Sequence, residues 1–421
     1  MYRKLVTDIS WLGGVSALIK PLWMLFLVSL VPSVLGDAGY GIFNTALALV
    51  ALTIAFSDWG MAQYTLREVA RRPTRSSRFF SNLILLRLAL LVLAYAVTML
   101  VAVGLGYDRE ALYTVAAAGV YWGAETMLQY ARMYYRAHQR LRVEAVSTAL
   151  EKGAVMACGG LGLYATASAW GTLAAMAVAM IAVLAGNLWW IHRHVAAWRR
   201  RVISPAFIRK TVPRMIPLGI AGLFTVYYMR TDQVMVEAML GPAEAGLYGH
   251  AFRLLVALNI VPIIVVQGAL FPRLSALYHE KALAVFQTLL RRSALALLAI
   301  GVVVSATLYA TADLLIALLV RDPAFAAAAP VLQVLCWTFP FTILNQLGYV
   351  TLISMDENVF PIKVLALVTV FNIAFNAMLI PRFGIEGAAA VTVLSEVLIV
   401  VAYVARYQWT TRARLSSSTD R

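Results

Sequence analysis

The sequence predicts an all-α polytopic membrane protein, with about twelve transmembrane helices in two parallel six-helix lobes around a central cavity. Three observations predict it. Apolar residues make up 62% of the 421 residues and charged residues 13%, against roughly 45–50% and 25% in a soluble domain. Apolar segments of bilayer-crossing length recur along the chain. Lys and Arg are concentrated in every second loop between them.

The first span, near 11–33, follows Arg3 and Lys4 and opens on Gly13–Gly14. It outruns the core of a secretory signal, contains Lys20 and lacks an A-x-A cleavage site, so it is read as retained. The second, 40–60, ends in Ser57–Gly60 (SDWG), with Arg67, Arg71, Arg72, Arg75 and Arg78 beyond it. The third and fourth, 79–104 and 111–135, enclose Asp108, Arg109 and Glu110 and lead to Arg136, Arg140 and Arg142. After the fifth and sixth, 143–165 and 170–192, comes the longest polar run, HRHVAAWRRRVISPAFIRK from His192 to Lys210. The seventh and eighth, 214–237 and 244–268, precede Arg273, Lys281, Arg291 and Arg292. The ninth and tenth, 290–312 and 326–353, flank Arg321 and Asp322; the eleventh and twelfth, 360–380 and 386–407, flank Arg382 and Glu386.

The positive-inside rule places the basic loops and both termini in the cytoplasm, which requires an even number of spans. Asp37, Asp108, Glu244 and Glu386 then face outward. The expected division is 1–200 for spans one to six and 201–410 for spans seven to twelve, with 411–421 a disordered cytoplasmic tail. LGDAGYGIF from Leu35 to Phe43 returns as LGPAEAGLY from Leu240 to Tyr248, matching Gly36 to Gly241 and Gly41 to Gly246. Leu105–Tyr107 onward runs alongside Arg321–Pro323 onward, through the fourth and tenth spans. Each copy has an even number of spans, so the repeat is parallel.

The net charge of +15 is spread along the chain at membrane-crossing intervals, which sets nucleic-acid binding aside. Cys158 and Cys336 have no metal or redox spacing and read as small core residues. No P-loop, nucleophile–base pair or metal cluster is visible, so no cofactor, metal or catalytic residue is expected.

Gly13–Gly14, the stretch from Leu35 to Arg71, TDQVMVEAMLGPAEAGLY from Thr231, FPRLS from Phe271 and IPRFGIEGAAA from Ile380 together resemble the polysaccharide flippase branch of the multidrug/oligosaccharidyl-lipid/polysaccharide (MOP) exporter superfamily. The resemblance covers essentially the whole chain. It implies a bacterial inner-membrane flippase, not an enzyme, that moves a polyprenyl-pyrophosphate-linked oligosaccharide for O-antigen or exopolysaccharide assembly. Its partners would be the bilayer, that glycan lipid and the polysaccharide polymerase and chain-length machinery. The alternatives are a peptidoglycan-precursor lipid flippase, a cation-coupled multidrug exporter and, with only short outward loops to support it, a membrane-embedded polymerase or ligase.

Charges at bilayer depth cost roughly 2.5–3.5 kcal/mol on insertion scales, so each needs a partner or water. Lys20 and Arg253 lie about 13 Å inside the first and eighth spans at 1.5 Å per residue. By resemblance, basic residues on these spans line the head-group cavity, and both are candidate pyrophosphate contacts. Arg87 and Lys152 are further candidates, with Glu125 or Glu151 as structural partners. Asp232, Glu125 and His250 are candidates for ion coupling or pairing. Arg230 is expected to snorkel, His250 to sit at an interface, and Asp58 to pair with Arg67 or Arg71.

Overall fold

The computed structural model describes residues 19–419 except 20, 260, 261, 263, 264 and 321, and their secondary structure is entirely helical. After a helical stretch at 21–25, a π-helical turn at Phe26–Leu30 runs into α1 (Val31–Ile54). A second π turn, Val266–Leu270, runs into α9 (Phe271–His279). Pro32 and Pro272 stand just after these turns. A proline has no N–H to give and its ring crowds the carbonyl four residues back, so the preceding turn opens to a wider hydrogen-bond pattern.

Between them lie α2 (Met61–Arg71), α3 (Ser76–Gly104), α4 (Arg109–Ala137), α5 (Leu141–Thr166), α6 (Ala169–His194), α7 (Pro205–Leu240) and α8 (Pro242–Leu258). After α9 come α10 (Leu283–Leu319), α11 (Ala328–Leu335), α12 (Thr338–Ser354) and α13 (Phe360–Thr419). Local chemistry sets several starts. Asp108 accepts from the Ala111 N–H at 2.8 Å and Ser168 from the Gly171 N–H at 3.3 Å, each satisfying an open donor of the first turn.

In their described residues the twelve expected spans fall largely on helix; the first and the eighth also run over residues outside the described set, the second ends in the turn at 58–60, and the tenth is broken between α11 and α12. Among the described residues, five helices are long and apolar enough to cross a membrane, and up to seven if each of two bent pairs is one span. Two of the five, Pro21–Ser57 and Phe360–Thr411, each contain two expected spans joined across a break, at Gly36 and at Gly384. The remaining three are α4 and α5, which carry buried charges, and the 17-residue α8. The last helix runs to Thr419, and no Gly or Pro interrupts 388–419.

The internal repeat has a backbone counterpart. Gly36 has φ 67° and ψ −179°, and Gly241 has φ 95° and ψ 176°. This left-hand, extended conformation is open essentially to glycine alone, and it turns the chain sharply between consecutive helices without a loop.

By contact the chain divides into two compact units at Val234–Met235. In the first, α4 is the central helix, packed by α1, α2, α3 and α6, and its Tyr121, Tyr130, Tyr134 and Tyr135 are fully buried. In the second, α11 and α12 are central, against α8, α10 and α13. The centre of each unit is thus the fourth span of each sequence repeat. The first part of α7, which the sequence assigns to the second half, is docked on α3. Phe207 packs edge-on to Phe79 with centroids 5.1 Å apart, and the Arg78 guanidinium lies 4.8 Å from the same Phe207 ring. Just before α7, Asn82 Nδ2 donates to the Val202 carbonyl at 2.9 Å.

Candidate functional site

A cavity of about 490 Å³ opens within the first unit between the end of α1, α3, α4 and α7. Asp58, Trp59, Gln63, Arg87, Trp122 and Arg230 give its wall its chemistry. The chain after α1 turns through a 3-10 helix, Ala55–Ser57, and positive φ at Trp59 (41°) and Gly60 (78°). This turn directs Asp58 toward α3. Gly219 of α7 closes the wall from the other side, since a side-chain carbon there would stand 2.5 Å from Trp59 Cα.

Arg87 is the anchor of the cavity. Its side chain is 5% exposed, pairs with the Asp58 carboxylate, donates through Nη2 to the Thr126 carbonyl at 3.2 Å and lies over the Tyr130 ring at 5.2 Å. Trp122, Thr126 and Tyr130 are four apart on α4 and therefore share the face turned to α3. The expected partnerships are corrected here. Arg87 meets Asp58 and not Glu125, while Arg67 and Arg71 pair with Glu68 at 3.5 and 3.9 Å.

Arg230 also departs from expectation. Its guanidinium lies 5.7 Å from the Trp122 ring, in the cavity wall. Arg87, Asp58 and Arg230 put charged groups in the wall, and Trp59 and Trp122 supply flat apolar faces. A charge at membrane depth interacts strongly because the surroundings are poorly polarisable.

Lys152 and Glu125 fall in a second cluster, on the other face of α4. Because α4 and α5 run antiparallel, their charges meet in register. Arg136 contacts Glu144 at 2.6 Å; Arg132 contacts Glu151 at 2.6 Å and donates to Ser147 at 3.1 and 3.2 Å. Lys152 contacts Glu151 at 2.6 Å and Glu125 at 3.4 Å, and lies 4.7 Å from the Trp23 ring. Both partners expected for Lys152 are therefore present. Three cations meet three anions along this seam, so the cluster is internally neutral and holds two helices together.

Asp232 is 2% exposed on α7 and accepts from the Gln233 N–H at 2.8 Å. His250, expected at an interface, is fully buried on α8 with its ring 5.2 Å from Phe325. Arg253 is half-buried on α8 in the second unit, and Lys20 lies outside the described residues. No group of His, Cys, Asp or Glu able to hold a metal occurs among the described residues. Sequence reasoning missed Arg132, Trp59, Gln63 and Trp122. The spacing of seven between Glu125 and Arg132, two turns along one helix face, was the available signal.

The model of the family described as "Polysaccharide biosynthesis protein" matches residues 5–278, well over half of the chain. The chain belongs to this polysaccharide biosynthesis protein family. A second family model, MatE, matches residues 217–378 of this family member. Its fold is similar to that of a multidrug resistance MATE family transporter of the MOP superfamily in an inward-facing conformation. That likeness has a TM-score of 0.73 at 17% identity, with 99% of each chain covered. Lipid II flippase MurJ, in an inward closed conformation, has a TM-score of 0.73 at 12% identity over 94% of this chain and 87% of that one. A MOP superfamily transporter from Pyrococcus furiosus, described by a reversed polarity of its binding pocket, has a TM-score of 0.61 at 16% identity, covering 98% and 95%. Among curated proteins, an uncharacterized membrane protein of Methanocaldococcus jannaschii is 38% identical over 72 residues, 17% of this chain and 14% of that protein. This family member thus has the multi-pass fold of the MOP transporters and flippases.

Proposed function

We propose that this protein is a flippase that carries a polyprenyl-pyrophosphate-linked oligosaccharide from the cytoplasmic to the periplasmic leaflet of the bacterial inner membrane. The observation that supports this most is the cavity holding Arg87, Arg230, Trp59 and Trp122 inside a membrane-spanning bundle, in a chain of the polysaccharide biosynthesis family. A diphosphate needs countercharge at close range to leave water, and guanidinium groups grip phosphate oxygens in a bidentate fork. Tryptophan faces are suited to sugar rings. The isoprenoid tail stays in the bilayer while the glycan crosses, and polymerase and chain-length proteins act on the product.

Arg87 and Arg230 are the proposed diphosphate contacts in the first unit, with Lys20 and Arg253 as further contacts. Lys152 is assigned a structural role because its charge is balanced at both carboxylates. Asp232, Glu125 and His250 stay as proposed points of ion coupling or pairing.

The test is flipping by the purified protein in vesicles loaded with a labelled polyprenyl-pyrophosphate oligosaccharide. Wild type should move label to the opposite leaflet; Arg230→Gln should lower the rate at least tenfold, and Arg230→Lys should recover only part of it. Absence of flipping together with export of a cationic dye would replace this reading by the multidrug exporter that the MatE match favours. Orientation has its own test. In a background without Cys158 and Cys336, outside reagent should label a cysteine introduced at Asp37 and spare one at Arg200.

A further inference from the structure

A second and larger hollow lies on the flank of the first unit. Between α5 and α6 a groove of about 950 Å³ is lined almost wholly by apolar side chains, at the upper end of the roughly 300–1,000 Å³ of small-molecule sites. Its shape follows from where the small residues fall. Toward the Ala167–Ser168 turn the two helices touch, and a side-chain carbon on Gly162 would stand 2.6 Å from Ala175 Cβ and 2.9 Å from the Gly171 carbonyl oxygen. Toward the basic end they leave room. Ala182 and Gly186 of α6 face it with little bulk, and the space beside Gly186 is open.

The groove opens outward, because Val146, Leu150, Val178 and Trp189 on its lips are 55–68% exposed. In a protein that spans a bilayer this exposure is to lipid. An apolar groove there fills with hydrocarbon, since an empty one forfeits its dispersion contacts. From Val146 to Cys158 the apolar length is about 18 Å at 1.5 Å per residue, close to the ~15 Å of one leaflet of a ~30 Å hydrocarbon core. The glycine contact beyond closes it to a much longer chain.

The mouth is polar and basic. Arg142 and Trp190 line it, and the Arg140 guanidinium stacks 5.3 Å from the Trp190 ring. Indole rings and arginines at this level belong to the head-group layer. We propose that the groove is a binding site for one anionic glycerophospholipid, with an acyl chain between α5 and α6 and the phosphate at Arg142. The site is separate from the Arg87 cavity and holds whether or not the flippase reading does.

Native mass spectrometry of the detergent-solubilised full chain tests it, with titrations of palmitoyl-oleoyl phosphatidylglycerol and of the matching phosphatidylethanolamine. Wild type should bind the first about tenfold more tightly, because both head groups carry the phosphate but only phosphatidylethanolamine adds an ammonium, which competes for that phosphate and is repelled by Arg142 and Arg140. Arg142→Gln should abolish that preference. Ala182→Phe and Gly186→Leu, which fill the groove from an exposed helix face, should each weaken phosphatidylglycerol at least tenfold. Ala185→Phe, on an exposed position outside the groove lining, should leave it unchanged. Equal binding of the two lipids by wild type would overturn the proposal. So would phosphatidylglycerol binding unaltered in both groove-filling variants, or weakened equally by Ala185→Phe. Recovery of a polyprenyl phosphate in the groove would overturn it as well, by giving the site to another lipid.

Discussion

Replacing Glu151 by alanine isolates what the α4–α5 charge seam contributes. Glu151 has a side chain with no exposure and touches Arg132 Nη2 and Lys152 Nζ, each at 2.6 Å. The two cations fare differently without it. Lys152 keeps Glu125 at 3.4 Å and is 17% exposed, whereas Arg132 is 3% exposed and, among the described residues, keeps the Ser147 hydroxyl, which cannot neutralise it. The cost is therefore mainly that of one buried guanidinium stripped of its carboxylate, about 3–5 kcal/mol. At roughly 2–4 °C per kcal/mol for a unit of this size, the melting temperature should fall by about 6–20 °C. Replacing both members, as in Arg132→Met with Glu151→Met, removes the charges together and should return most of that loss, because a buried ion pair and an apolar pair of similar volume are close in energy. Tryptophan-fluorescence melting of purified protein, at fixed detergent, lipid and scan rate, reads all three proteins. A Glu151→Ala protein melting within 2 °C of wild type, or a double variant as unstable as the single one, would refute the reasoning.

Asp58→Ala should destabilise less than Glu151→Ala, by about 1–3 kcal/mol, because Asp58 is 36% exposed and the cavity partly solvates Arg87 in its absence. Asp58→Leu with Arg87→Met should restore the melting temperature while leaving flipping absent, which separates the structural from the binding role of Arg87. Gly36→Ala and Gly241→Ala should each cost about 1–3 kcal/mol for the positive-φ backbone, and similar melting shifts from the two would reflect their matching geometry. His138, between α4 and α5, contacts Ser76 Oγ at 2.9 Å, and burial, then the Arg140 charge, holds its imidazole below the usual value of 6.5. The unfolded chain then takes up the proton first, so stability falls as pH drops through 6.5. Comparing melting at pH 7.5 and 5.5, His138→Gln should show the smaller loss.

Much of the architecture is legible before folding, and the reason is the solvent. A bilayer enforces its thickness on every crossing segment and satisfies no stray backbone group, so apolar runs and basic loops mark helices with little ambiguity. The least legible span carries residues of both charge clusters. Trp122, Glu125, Thr126, Tyr130 and Arg132 are consecutive turns of α4, and the sequence shows them only as interruptions of an apolar run. Folding sorts them onto two faces, one lining the cavity with Arg87 and the other meeting α5.

The sequence by itself determined an all-helical membrane protein, its family, the internal repeat with paired Gly36 and Gly241, and a short set of deep charges. The helices, the repeat and the charges follow from composition and local chemistry, which act over a few residues or one bilayer width, and the family from the resemblance of its motifs. Only the tertiary structure decided that Asp58 turns back to Arg87, that Arg230 meets Trp122, that Lys152 is neutralised between Glu125 and Glu151, and that the first part of α7 docks on α3. Partners 29 residues apart, as Arg87 and Asp58 are, or 108 apart, as Arg230 and Trp122 are by their numbers, are chosen by the directions in which turns send the helices. A Coulomb preference alone cannot choose among the several carboxylates within reach of each buried cation, because any of them would satisfy it.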